Sequence, residues 1–567
     1  MSAQPENKRN LLTILVEDYF HVGAFENLIQ QRNWQNFEPR YEQNTLKTLD
    51  LLDRYDTKAT FFVLGWIADL NPGLIREIVS RGHEVGSRGF YHRSPRYLTP
   101  DEFREDLRRS NRAIEDASGQ KVVGYRAAEK LSFDQSEWIL ETLAEEGFAY
   151  DASFLPTSKT DTEKRVAYEV NIDGRSIWEF PYTTTDLGLG LLPISGGNYY
   201  RQLPYTLMRR AVRNWHEKNS DPFVFYFHVW ELDPEQPRIS AASKVNRIRH
   251  YRKLDKMEWI LHENLALYKC TSVADHLGLE PEMQACSAES ITAEAVKAVT
   301  PKTADLTPVS IVVPCYNEQE SLPYLAKTLK SVEQRFNKIG FTSRVIFVDD
   351  ASQDKTLEVL DELFGGQGHV RIVRHEVNKG VAGGIMTGIR AADTELVCSI
   401  DCDCTFDPHE LVKMLPMMTD DVDMVTASPY HKDGGVQNVP GWRLMLSKGA
   451  SVLYKLVLRT KIASYTSCFR VFRRKAMLDI NPTAPGFHGV PEMLGLLDLN
   501  GGKIVEFPTV LAVRLFGASK MNTAKTIVGT LKLISRLAIM RMFGKPAAIE
   551  TSLPSKGLQP ASKNLPS

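Results

Sequence analysis

Residues 395–404 read ELVCSIDCDC, a short apolar run that ends on two aspartates one residue apart, Asp401 and Asp403. Its length and composition are those of a buried strand. Three similar runs precede it: VSIVVPCYN (309–317), SRVIFVDD (343–350) and VRIVRH (370–375). Each is followed by turn residues or a helical pattern. That alternation predicts a doubly wound α/β sheet with its loops gathered at the C-terminal ends of the strands, where open sheets bind ligands.

Four stretches fall at those ends: PCYNE (314–318), VDDASQDKT (348–356), NKGVAGGIMTG (378–388) and DCDCTFDP (401–408). In an extended segment Asp401 and Asp403 share a face and can point at one hard cation. Mg²⁺ or Mn²⁺ held there neutralises a diphosphate leaving group. A lone Asp-x-Asp is most often a solvated turn; the preceding strand and the three companion stretches give this one weight. Asp349 and Asp350 suit the base and ribose of a nucleotide. Their structural alternative is capping of the helix expected in DKTLEVLDELF, and one of them can do both. Lys379 with Gly380, Gly383 and Gly384 sets a cation on a permissive backbone, without the G-x-x-x-x-G-K-[ST] spacing of an ATP-type loop. Cys398, Cys402 and Cys404 read as small buried apolar residues rather than metal thiolates.

At 567 residues the chain exceeds one compact core, so two domains are expected. The 69 basic residues balance 70 acidic ones, which gives no footing for nucleic acid as a partner. The opening MSAQPENKRNLLTILVEDYF has no secretion-signal pattern, and no apolar run is long enough to span a bilayer. Seven cysteines without a C-x-x-C pair fit a reducing cytoplasm. Upstream, LLTILV (11–16), ATFFVLG (59–65) and VFYFHVW (224–230) read as buried strands. TLKTLDLLDRY (45–55) and PDEFREDLRRSNRAIEDAS (100–118) carry helical periodicity. Parallel strands closed into a barrel are expected. The reading divides the chain into a barrel over 8–278, a linker over 279–307, an α/β domain over 308–545 and a disordered Pro/Ser-rich tail over 546–567. In MNTAKTIVGTLKLISRLAIMRMF (521–543), Ile527, Leu531, Ile534 and Ala538 share a face among basic residues. Such a helix packs on a core or lies on the cytoplasmic face of the inner membrane as a peripheral contact.

From about residue 308 to 543 the chain resembles glycosyltransferase family 2, near the dolichol- and polyprenyl-phosphate mannose or glucose synthases. PCYNE, VDDAS, NKG, DCD, SYTSCFRVFRR (464–474) and VEFPTVLAVRLFGASKM (505–521) carry the resemblance in that order. It implies a GT-A fold and inverting transfer of a sugar from a GDP- or UDP-sugar to a polyprenyl phosphate or membrane-associated glycan. It places Pro314, Tyr316, Glu318, Asp349 and Lys379 at the nucleotide and Asp401 and Asp403 at the metal. Arg470, Arg514, Ser519 and Lys520 would meet phosphates of donor or acceptor. Ser464 and Cys468 stand where such synthases often have Asp and Gly, which implies a changed acceptor. A lipid phosphate needs positioning only, whereas a hydroxyl acceptor needs a base; Glu492 is the candidate, with pairing inside its own helix as the bland alternative.

LLTILVEDYFH, ATFFVLGWIADLNP, GYRAAE, YDASFLP and YFHVWELDPEQPRI resemble NodB-type polysaccharide deacetylases of an exopolysaccharide-associated branch. The resemblance implies a distorted (β/α)7 barrel that holds a zinc-like ion with one Asp and two His. Asp18 matches the metal carboxylate, Glu17 a base or ligand, His92 the second metal His and His228 the general acid. Arg126 and Asp151 fall on supporting motifs. Leu15, Ala128 and Arg88 depart from the pattern. In HEVGSRGFYHRSP (83–95), Arg88 stands four residues before His92, where a histidine would complete the pair. Arginine offers no lone pair, and a cation about 4 Å from a divalent ion is repelled by several kcal/mol even at an effective dielectric of about 20. The expectation is that Arg88 pairs with Asp18 or Glu17 in place of an ion, that Zn²⁺ is not bound, and that His21 does not restore the site. The rival readings are an enzyme that also N-deacetylates the glycan and a non-catalytic carbohydrate-binding scaffold.

Overall fold

The computed structural model describes residues 10–133, 137–159, 162–186, 190–280, 306–439, 441–517 and 523–543. Most of the linker expected at 279–307 and all of the tail expected at 546–567 lie outside these residues, as do Ser519 and Lys520. The chain forms two compact units.

In the first unit, seven parallel strands run in the order Val224–His228, Asn10–Val16, Thr60–Val63, Glu84–Ser87, Gly124–Tyr125, Tyr150–Asp151, Arg175–Glu179. Tyr168–Ile172 is added antiparallel at the far edge, and Cys270–Thr271 pairs beside Asn10 and Leu11. Asn10–Val16 is buried along its whole length, as a strand covered on both faces must be. Among the described residues no ladder joins the outer strands to close the barrel. Single bonds cross the gap, from Ile194 N–H to Thr183 O and from Tyr226 N–H to Ser195 O, which is the distortion the resemblance implied. The register sets the site. Val16, Val63 and Ser87 are aligned across the sheet, and Ser87 with Tyr125, so the next residues, Glu17, Arg88 and Arg126, leave the sheet at one level. His228 is aligned with Leu15.

The helix read over 100–118 is found at Pro100–Ser118. Thr99 and Glu102 form its capping box, Pro100 opens it, and Gly119 ends it at φ 70°, a conformation open to glycine at little cost. The helix read over 45–55 begins earlier, at Tyr41.

In the second unit a seven-stranded sheet runs Val370–Arg374, Phe341–Asp349, Thr307–Cys315, Leu396–Ser399, Arg470–Arg473, Met424–Ser428, Ile504–Pro508. Only Arg470–Arg473 is antiparallel to its neighbours. Strand order reverses between Thr307–Cys315 and Leu396–Ser399, so the PCYNE and DCD segments leave the sheet on either side of the switch point, where a crevice opens in this kind of fold.

Candidate functional sites

Glu17 is fully buried at the centre of the first unit's site. Arg88 Nε donates to its Oε2 at 2.8 Å, His92 Nε2 lies 2.9 Å from the same oxygen, and His228 Nδ1 lies 2.5 Å from Oε1. Trp230 Nε1 donates to Oε1 at 3.4 Å. Burial alone would raise this carboxyl; Arg88, His228 and His92 together hold it well below the usual carboxylate range. Arg88 is itself buried and also donates to Ala127 O and Ala128 O. The guanidinium thus occupies the space among Glu17, His92 and the strand ends. Arg88 itself brings no lone pair to a metal, and among the described residues no group of three or more His, Cys, Asp or Glu is arranged as a metal site.

The role given to Asp18 is corrected. Its Oδ1 accepts from Tyr19 N–H, and its Oδ2 accepts from Arg40 N–H and Tyr41 N–H. It accepts from the first backbone N–H groups of the helix Tyr41–Arg54, which commits its Oδ2 to the fold; burial pushes its carboxyl up to about 7 against those three donors. His21 accepts from Asp18 N–H through Nδ1, so Nε2 carries the proton. Packed against Trp34 and Trp66, it offers no lone pair to a metal.

In the second unit, a cavity of about 570 Å³ is lined by Tyr316, Ser352, Gln353, Arg374, His375 and Asn378, among others. Asp349, fully buried, accepts from Ser352 N–H through Oδ1; its Oδ2 has no hydrogen-bond partner and lies 3.6 Å from Arg374 Nε. Two residues lining the cavity therefore touch Asp349 and leave one of its oxygens for a donor. Asp350 does not join it, a second correction. It accepts from Lys379 N–H and Gly380 N–H and sits 2.7 Å from His375 Nδ1, so it caps Gly380–Ala391, not the helix that starts at Thr356, which Asp354 serves. Pro314 packs under Gly384, and Glu318 accepts from Ser321 Oγ while its own N–H donates to Thr356. Neither lines the cavity, nor does Lys379, whose side chain is exposed.

The Asp-x-Asp element is not extended as expected. Cys404 N–H bonds to Asp401 O at 3.3 Å, so the two aspartates stand in a turn, and Thr405 N–H donates to Asp403 Oδ1. Both remain half-buried at the strand end. Two carboxylates are a fitting donor set for Mg²⁺ or Mn²⁺, which commonly fill their remaining positions with phosphate and water. Cys398 and Cys402 are buried and Cys404 half-buried, as read from the sequence; burial raises the Cys398 and Cys404 thiols well above their ordinary range.

Two further roles are corrected. Glu492 is 1% exposed, accepts from Thr483 N–H and Ala484 N–H and pairs with Arg536, so it is a structural pin and not a base. Arg470 is buried and donates to Tyr465 O, Val490 O and Thr426 Oγ1, which leaves it no reach to a phosphate. Arg514 donates through Nε to Phe516 O. Of the residues that sequence reasoning missed, Arg374 and His375 end the quoted stretch VRIVRH and Asn378 follows it. Their position at its C-terminal end was the available signal.

The family model described as Glycosyl transferase family 2 matches residues 310–480, and that described as Polysaccharide deacetylase matches 28–144. A domain of unknown function, DUF3473, matches 152–277. The chain therefore carries a region that matches the polysaccharide deacetylase model followed by one that matches the glycosyltransferase family 2 model. A dolichol-phosphate mannosyltransferase of Pyrococcus furiosus is 29% identical over 231 residues, which are 40% of this chain and 63% of the relative, less than two thirds of its length. A polyprenol monophosphomannose synthase of Mycolicibacterium smegmatis is 29% identical over 37% of this chain and 80% of its own. Among solved structures, a CE4 family pseudoenzyme from Bacillus anthracis is 18% identical, covers 48% of this chain and 66% of its own, and has a TM-score of 0.26. Glucosyl-3-phosphoglycerate synthase from Mycobacterium tuberculosis, solved with Mn²⁺ and UDP, is 18% identical over 42% of this chain and 82% of its own, at a TM-score of 0.32.

Proposed function

We propose that the second unit is an inverting glycosyltransferase that moves a sugar from a GDP- or UDP-sugar to a polyprenyl phosphate or membrane-associated glycan of the cell surface. The observation that carries this reading is the buried, unpartnered Oδ2 of Asp349 against Arg374, which lines a 570 Å³ cavity, in the same sheet as the Asp-x-Asp turn at the switch point. Asp349 would accept an N–H of the base and Tyr316 would flank the nucleotide. Asp401 and Asp403 would hold Mg²⁺ or Mn²⁺, which supplies positive charge to a departing diphosphate. With Glu492 committed to Thr483, Ala484 and Arg536, the acceptor favoured is a phosphate, which is already anionic and needs no base. The names of the two curated relatives agree with a polyprenyl-type acceptor.

Two helices of this unit support a peripheral membrane contact. Gly441–Val457 exposes Met445 and Leu456, and Thr523–Phe543 exposes Ile527, Leu531, Met542 and Phe543, with Lys448, Lys455 and Lys532 nearby in sequence. Leu533, Ile534 and Leu537 face the core instead, so the last helix packs on one side and presents apolar residues on the other. Among the described residues no helix is long and apolar enough to cross a membrane.

For the first unit we propose a glycan-binding role with the deacetylase metal replaced by the Arg88–Glu17 ion pair. The deciding experiment is sugar transfer to polyprenyl phosphate by the full chain, screened over GDP-mannose, UDP-glucose and UDP-GlcNAc. Turnover that falls by at least 10³ in Asp403→Ala supports the transferase, and turnover unchanged in that variant removes it. Metal analysis of the same protein tests the first unit. One zinc per chain that disappears in His92→Ala, together with acetate release from an N-acetylated oligosaccharide, would install the bifunctional reading.

A further inference from the structure

Two cations, Arg126 and Lys130, stand against the tyrosines of the first unit beside the Glu17 cluster. Arg126 is 1% exposed. Its Nη1 donates to Thr13 Oγ1 at 2.9 Å, and its Nε has no hydrogen-bond partner. The guanidinium lies over Tyr226 and Tyr182, with 4.4 and 4.5 Å to the ring centroids. Lys130 reaches the other side of this aromatic wall, 5.0 Å from the Tyr182 centroid, and donates to Tyr199 OH at 2.9 Å. Among the described residues no carboxylate pairs with either cation. Burial pushes the carboxyls of Asp151 and Glu179 up, and the negative charge of Asp151 raises Glu179 further. Burial, then the neighbouring charges of Arg249 and Arg126, bring the Lys130 ammonium down to about 8.

Unpaired cations collected on an aromatic surface are costly unless something negative completes them. Tyrosine rings are also the surface on which sugar faces pack, with the hydroxyl supplying a hydrogen bond. The wall leads to the Glu17 cluster, because the rings of Tyr226 and His228 are 6.1 Å apart and His228 touches Glu17.

We propose that Lys130 and Arg126 form a subsite for the oxyanion of an acidic sugar, a uronate carboxylate or a sugar phosphate, held against Tyr182 and Tyr199. Lys130 meets the anion, and the buried Arg126 acts from beneath the tyrosines as a fixed positive charge. The inference rests on the glycan-binding reading of this unit and adds the class of glycan.

The test is calorimetric titration of the full chain with glucuronate, glucose 6-phosphate, inorganic phosphate and glucose. Glucuronate or glucose 6-phosphate should bind at least 10-fold more tightly than glucose, and the preference should shrink as salt is raised. Whichever of the two binds more tightly names the source of the anion. Lys130→Gln and Lys130→Met should each remove most of that preference, with unchanged melting of the first unit and unchanged nucleotide-sugar binding by the second. Equal binding of glucuronate, glucose 6-phosphate and glucose overturns the anion subsite and leaves glycan binding standing. Binding of inorganic phosphate that both variants leave intact places the anion elsewhere and also overturns it. Failure of every sugar to bind removes the glycan-binding reading itself.

Discussion

Both units end a central strand on two adjacent acids, Glu17–Asp18 in the first and Asp349–Asp350 in the second, and both divide the labour in the same way. The second acid turns back to cap a helix, Asp18 at Arg40 and Tyr41, Asp350 at Lys379 and Gly380. The first acid faces the site. There the likeness ends. Glu17 meets a buried guanidinium at 2.8 Å, whereas Asp349 meets Arg374 at 3.6 Å, an arginine whose side chain is 61% exposed, and keeps one oxygen without a donor. The same strand-end device is fully hydrogen-bonded in one unit and keeps an unpartnered oxygen in the other.

The sharpest way to break this comparison is Arg88→Leu. Removing one member of a buried pair strands the other charge, and the first unit should lose about 3–5 kcal/mol of stability. Tryptophan fluorescence reads this directly, because every tryptophan except Trp442 lies in that unit. A loss below about 1 kcal/mol would mean that Glu17 does not depend on its internal cation. Asp349→Asn should do the reverse. Its stability cost should stay within about 1 kcal/mol, since its ion pair is with an exposed arginine. Nucleoside diphosphate affinity should fall about 10- to 100-fold through loss of a charged acceptor for a base N–H. The two caps should behave alike, with Asp18→Ala and Asp350→Ala each costing about 1–2 kcal/mol in thermal unfolding. The smallest effect is in the acid limb. Glu17 is held below its unfolded value, so its contribution is present above pH about 4.3 and is lost as pH falls through the lower folded value. In Arg88→Leu the decline should begin at higher pH, a shift that fluorescence followed against pH would show.

The sequence revealed the strands and the places where they end. Buried parallel strands write themselves as unbroken apolar runs, and the helix at Pro100–Ser118 announces both ends through Thr99, Pro100 and Gly119. The two acids at each strand end were visible, but their division was not. Asp18 bonds a backbone N–H 22 residues away and Asp350 one 29 residues away, and no local pattern encodes such a pairing. Glu492 and Arg470 were misread for the same reason. Ionic side chains suggest ligands in a one-dimensional reading, and these two spend their hydrogen bonds on neighbouring backbone. Arg88 was legible because its meaning was chemical rather than geometric: it cannot ligate a metal wherever it lies.

The reversed strand Arg470–Arg473 has a consequence for how such an enzyme could change customers. Because it runs against Leu396–Ser399, the chain enters it at the edge where its neighbour leaves, and Cys468 O receives the Ser399 hydroxyl. The SYTSC segment is delivered beside the two aspartates, close enough for Asp401 to help raise the Cys468 thiol after burial has done most of it. A single inverted strand therefore ties the surroundings of the two aspartates to the core: Ser464, Tyr465, Ser467 and Cys468 are all buried, so any change in this segment is felt both in the packing and at the aspartates.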